Sequence, residues 1–147
     1  MRWLLAGLWL AASPAWGVEV FVCKPDQTIG FVYDAEANGW DARIFASDGH
    51  SWVVREVTEE ERSVMGLPAR AFVVQYEGQP QIEHVCRDGF TLHGDLRCER
   101  ERVSSFSMGN KTLRYLYVLH DGYWSRRGRP ASEESPIGME IGRCRAL

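Results

Sequence analysis

Lysine is nearly missing from this chain: of 17 basic residues in 147, only Lys24 and Lys111 are lysines. Positive charge is not in excess either, because 20 Asp and Glu leave a net charge of −3. A general nucleic-acid binder carries the opposite balance. The preference for Arg over Lys is first a bias of composition, and bears on function only with other support. Long apolar runs are also missing. The longest, Trp3 to Ala12, is ten residues, about 15 Å of helix against roughly 30 Å of bilayer hydrocarbon. The motif set of common enzymes is absent too: no Gly-x-Ser-x-Gly, no His-Glu-x-x-His, no phosphate-binding loop and no dinucleotide fingerprint. Internal repeats are not found. What is present, 45% hydrophobic and 25% charged residues, excludes intrinsic disorder and a multi-span membrane protein. The length fits one compact domain with a short appendage.

That appendage is residues 1–17. Arg2 gives a positive start, residues 3–12 an apolar stretch, and Ser13-Pro14 a break. Ala15 and Gly17 then place small residues at the −3 and −1 positions of a cleavage site after Gly17, with cleavage after Ala15 as the alternative. No Cys follows directly, which argues against lipid attachment. The segment predicts export to the periplasm or the exterior. Its removal takes away Arg2 alone among the charges, leaving 16 basic and 20 acidic residues and a net charge of −4.

Only four cysteines occur, Cys23, Cys86, Cys98 and Cys144. An even count in a small exported chain predicts two disulfides, with three connectivities open. Cys86–Cys98, closing a short loop, and Cys23–Cys144, tying the first mature strand to the last, are the favoured pairs. In the chain-entropy account the long bridge contributes roughly 4–5 kcal/mol and the short one roughly 3. A zinc site from His84, Cys86, His93 and Cys98 is the rival reading. Its spacing is not of the Cys-x-x-Cys type, and an oxidising compartment removes the thiols. No metal or cofactor is expected.

The mature chain alternates short β-forming runs with turn signals, the pattern of an all-β domain. Runs at 18–23, 29–33, 40–45, 51–57, 71–76, 81–86, 102–108, 113–120 and 137–144 predict eight or nine strands. They form a meandering antiparallel sheet, closed or nearly closed into a small barrel or sandwich. Pro25-Asp26 is expected to stop the first strand, Asn38-Gly39 marks a hairpin, and residues 87–97 read as loop. One short helix is expected near 59–65. Thr58 and Glu61 form a capping box there, and Gly66 and Pro68 end it. The expected core aromatics are Phe21, Phe31, Tyr33, Trp40, Phe45, Trp52, Phe72, Phe106, Tyr115, Tyr117 and Tyr123.

Cys23, Gly30-Phe31-Val32-Tyr33, Trp40 and Phe45 resemble the first half of small exported proteobacterial β proteins of unknown function. Cys86, Cys98, Phe106, Asn110, Arg114, Gly122-Tyr123 and the ending from Pro136 to Cys144, with its Gly-x-Cys close, resemble their second half. The resemblance covers most of the mature chain and implies export, disulfides and a β domain, with no activity attached. The chain is also similar in size, export and cysteine use to small periplasmic lysozyme inhibitors, without their inhibitory-loop motif. Gly39-Trp40 is similar to the Gly-x-Trp of lipocalin-like barrels, without the intervening residue.

Candidate chemistry is sparse. His93-Gly94-Asp95 is the best local acid–base cluster, but a turn of small and polar residues is its more ordinary account. Asp34, Glu36 and Asp41 flank a turn, and His50 and His120 have no identifiable partner. Arg114 and Glu140, each set among apolar strand residues, are candidates for a cross-strand ion pair, or Arg114 for an anion site. Tyr123, Trp124, Arg126, Arg127 and Arg129 are the candidate partner surface, able to grip an acidic protein patch, an anionic polymer or a lipid headgroup. These residues point to a non-enzymatic binding domain acting on a protein or envelope component. The alternatives are a small-ligand carrier using a barrel interior and, last, a small hydrolase.

Overall fold

A computed structural model describes residues 19–101, 103–120 and 137–147. Among them are nine strands and one helix: β1 (Val20–Asp34), β2 (Gly39–Phe45), β3 (Trp52–Glu56), α1 (Glu59–Met65), β4 (Phe72–Tyr76), β5 (Ile82–Cys86), β6 (Asp95–Arg100), β7 (Ser104–Gly109), β8 (Arg114–Leu119) and β9 (Ile137–Ala146). Strands β3 to β9 follow one another in antiparallel order. Strand β1 pairs with both β3 and β9 and closes an eight-stranded barrel. Closure removes the sheet edges that a small open sheet would expose. Both favoured disulfides are present, and no described cysteine is free.

The two bridges sit at the seams that need them. Cys23 lies directly opposite Cys144 where the last strand meets the first. The β5–β6 register has one pair, Val85 opposite Glu99, and the Cys86–Cys98 bond crosses that seam beside it. With Cys86 and Cys98 joined, neither thiol can serve the zinc reading.

Strand β1 departs from the sequence expectation. Instead of stopping at Pro25-Asp26, the chain runs as one 15-residue strand with a bulge between Pro25 and Gln27. Asp26 is the extra residue. Because side chains alternate with period two, one extra residue exchanges the faces of everything after it. Phe21 and Cys23 therefore point into the barrel, whereas Ile29, Phe31 and Tyr33 share the outer face. The second half of β1 pairs with β2 in an unbroken register, Thr28 opposite Phe45 through Asp34 opposite Gly39. This hairpin extends past the closed barrel. Its turn is held by Asp34, whose carboxylate accepts the Glu36 and Ala37 amides and is held below the usual carboxylate range by those bonds. Asn38 takes the left-handed conformation that an Asn-Gly turn needs.

Two corrections follow. Phe31 and Phe45 are exposed, and Tyr33 and Trp40 half-buried, so these four do not belong to the core. Residues 95–97, expected as loop, open β6, whose Leu96 and Cys98 face inward. The core is Phe21, Trp52, Val54, Phe72, Val74, Leu96, Phe106, Met108 and Tyr115 with the four cysteines. Helix α1 carries the expected capping box of Thr58 and Glu61 and a left-handed Gly66 at its end. Glu61 also takes a two-pronged bond from Arg55 of β3, and that guanidinium first of all holds the Glu61 carboxyl down at about 2. Around the helix, Val57, Leu67, Ala71 and Val73 form a second small core.

Candidate functional site

Inside the barrel the polar chemistry converges on Glu140. Strand β9 turns this residue inward between Gly138 and Gly142, and it is 3% exposed. Its Oε1 accepts the Trp52 indole N–H at 2.8 Å and the Tyr115 hydroxyl at 2.7 Å. Its Oε2 accepts the Thr28 hydroxyl at 3.1 Å and lies 3.0 Å from His50 Nε2. A carboxylate has about four lone-pair sites; three here take hydrogen bonds, and the His50 ring nitrogen lies close by without one. Burial and then the bond to Glu140 raise the Tyr115 phenol far above its ordinary value. A carboxylate engaged in this way ties β1, β3, β8 and β9 together from inside the barrel.

A second buried pair lies across the lumen. His84 Nε2 and Ser104 Oγ are 2.8 Å apart, the geometry of a base beside a hydroxyl nucleophile. Both are closed off, at 2% and 3% exposure. Burial, and then the charge of Arg100, hold the imidazole down at about 4, so it is neutral near pH 7. Aromatic rings occupy the space between the two polar groups. Trp52 stacks on Tyr76 at 4.2 Å and touches Tyr117 at 5.1 Å, while Phe106 stacks on Tyr115 at 5.2 Å. Burial, then Tyr117, push the Tyr76 phenol up to about 12. Among the described residues these side chains pack against one another inside the barrel.

The surface that solvent does reach is on the opposite side of β1 and β9. Ile29 and Phe31 of β1, Ala42 and Ile44 of β2, Ile137 and Met139 of β9 and Val118 of β8 line one groove of about 330 Å³ with almost wholly apolar walls. Ile44 is 74% exposed, Phe31 48%, Ile29 44% and Met139 42%. Leu116 and Ile141, also exposed, continue the face along β8 and β9. A contiguous apolar face of this kind on a folded domain marks an interaction surface far more specifically than single exposed residues do. Elsewhere the outside is charged: Arg97, Glu99, Arg100 and Glu83 cover β5 and β6, with Arg100 paired to Glu83.

The residues singled out in sequence fall differently. Arg114 and Glu140 do not pair, because Arg114 stands outward opposite Arg143 while Glu140 points inward opposite Tyr117. Arg114 instead adds to the positive field that, behind the Arg143 hydrogen bonds, lowers the Asp26 carboxyl. His93 is exposed in the turn before β6, Gly94 is buried, and Asp95 opens the strand with its amide donating to Thr91. His50, for which sequence gave no partner, meets Glu140. Tyr123, Trp124, Arg126, Arg127 and Arg129 lie outside the described residues, as does the 1–17 segment. The apolar face was missed altogether. Its traces in sequence are the alternation of Trp40, Ala42 and Ile44 with Asp41 and Arg43 and that of Ile137, Met139 and Ile141 with Gly138, Glu140 and Gly142, which ordinary patterning would turn inward.

Among the described residues no group of His, Cys, Asp and Glu is placed to hold a metal ion, and no helix is long and apolar enough to cross a membrane. Compared with family models, with curated proteins and with solved structures, the chain matches none. Two disulfides in so small a barrel belong to an oxidising, non-cytoplasmic compartment.

Proposed function

We propose that the mature chain, residues 18–147, is a non-enzymatic binding domain of the periplasm or the exterior. Its outer face on β2, β1, β9 and β8 receives an apolar segment of a protein partner. The observation that carries this reading is the groove itself: an apolar surface crossing four strands, on a barrel whose own core is complete without it. Burial of apolar surface contributes about 25 cal/mol per Å², so a side chain seated between Phe31, Ile44 and Met139 gives a partner a strong anchor. Export rests on the leader at 1–17 together with the disulfides. The resemblance to small exported proteobacterial β proteins points the same way. In sequence, Val118 and Ile137 of the groove flank the segment that carries Trp124 and the arginines, which are proposed to extend the same surface with charge.

The test is a comparison of tagged variants in an exporting bacterial host. A partner recovered with the wild-type protein is expected to be lost with Phe31→Asp and Met139→Asp. It is expected to be kept with Arg97→Glu on the charged side of the barrel. Equal recovery with all three variants would overturn the reading.

A further inference from the structure

Strand β2 is the one element of the β1–β2 hairpin that the barrel does not close upon. Among the described residues no strand pairs with its outer edge. Folded proteins usually blunt such an edge with Lys, Pro, a bulge or very short length. Strand β2 has no Lys, Pro or bulge, and its only charges are Asp41 and Arg43: Gly-Trp-Asp-Ala-Arg-Ile-Phe holds seven residues in regular register against β1. The hairpin is also pre-set, since Tyr33 donates to the Asn38 side chain and Asp34 holds the turn. An edge of this length and regularity is a template for another strand.

Its charges say which strand. Asp41 and Arg43 stand on one face of β2, joined at 3.1 Å and more than half exposed. Consider two copies of β2 running antiparallel about a two-fold axis. The two faces stay matched only in registers that shift by two residues. With the axis through Ala42, Asp41 faces Arg43 of the second copy and Arg43 faces its Asp41, giving four charges of alternating sign. On the other face Trp40 then meets Ile44 of the second copy, while on the charged face each Gly39 lies opposite a Phe45. Shifting the register either way sets Asp41 against Asp41 or Arg43 against Arg43, and like charges directly opposed destabilise a pair. One register is therefore selected, and it is self-complementary, as an isologous two-fold interface must be.

We propose that two copies of this protein pair along β2 about an axis through Ala42. The pairing joins two barrels by one continuous sheet and sets their apolar faces side by side. It stands on the edge and its charges, independently of what the groove receives.

The experiment is sedimentation equilibrium of the oxidised mature protein, with a charge series. The wild type is expected at twice the chain mass. Arg43→Asp, which makes this segment acidic in both copies, is expected to weaken the dimer at least tenfold. The exchange D41R/R43D restores alternation and is expected to bring the dimer back, while Phe31→Asp on the apolar face leaves it. These positions are exposed, and circular dichroism of each variant confirms that the barrel is folded. A monomeric wild type, an R43D variant as dimeric as wild type, or no recovery in the exchange would overturn the proposal. Loss of the dimer in Phe31→Asp alone would place the second copy on the face and overturn it equally.

Discussion

Glu140 is the residue on which the interior turns. A buried carboxylate is costly unless its lone pairs are met, and breaking such a set leaves orphaned donors in a medium that cannot hydrate them. Glu140→Leu strands the Trp52 indole N–H, which can only donate, and is expected to cost about 3 kcal/mol. Glu140→Gln keeps one oxygen for Trp52 and Tyr115 and offers its amide to Thr28 and His50, so about 1 kcal/mol is expected. Urea unfolding of the two variants measures both. His84 supplies the pH dependence. Its folded-state value near 4 lies below the ordinary 6.5, so the unfolded chain takes up the proton first as pH falls. Stability is full above pH 6.5 and declines until about pH 4, by on the order of 3 kcal/mol for a group this buried. His84→Gln, which can still bond Ser104, is expected to flatten the slope in that window; an unchanged slope would assign it to another group.

At the scale of elements, the seam between β1 and β9 decides whether the sheet is a barrel. Gly142 lies opposite Pro25 at the bulge. A Cβ there would run into the Lys24 carbonyl and the Tyr115 ring. Gly142→Ala is expected to cost about 3 kcal/mol by overpacking, read as a lower midpoint in thermal or urea unfolding. The same seam explains what sequence reasoning could reach. The capping box at Thr58, the Asn38-Gly39 hairpin and both cysteine pairs were legible because each rests on local chemistry or on compartment. The fate of Phe31, Tyr33 and Trp40 was not. It hangs on a single extra residue at Asp26, and a Pro-Asp pair signals a stop and a bulge alike. Strand β6 was hidden for a related reason: Asp95-Leu96-Arg97-Cys98 alternates, but the Gly94-Asp95 turn chemistry masks its start. Arg114 and Glu140 show the limit of strand adjacency. Neighbouring strands bring residues close only when the pleat puts them on one face.

The whole molecule is a barrel with two kinds of polarity. Its lumen is lined with rings around two buried polar groups, Glu140 and the His84–Ser104 pair, and one sector of its outside is apolar while another is charged. An eight-stranded barrel is just wide enough to be filled by side chains or to hold one small ligand, and here Trp52, Tyr76, Phe106, Tyr115 and Tyr117 pack within it. The two disulfides offset the weakness of so small a core. Export and oxidation together predict an intact mass, under denaturing non-reducing conditions, of Val18 to Leu147 less four hydrogens; a retained leader or a free thiol pair would contradict that compartment.

The central claim concerns the apolar face, and site-specific photo-cross-linking in the exporting host tests it most directly. A cross-linking residue at position 31, in the groove, is compared with one at position 97, on the charged side. The account predicts a discrete protein adduct from position 31, abolished by Met139→Asp, and none from position 97. Adducts from both positions alike, or from position 97 alone, would contradict it.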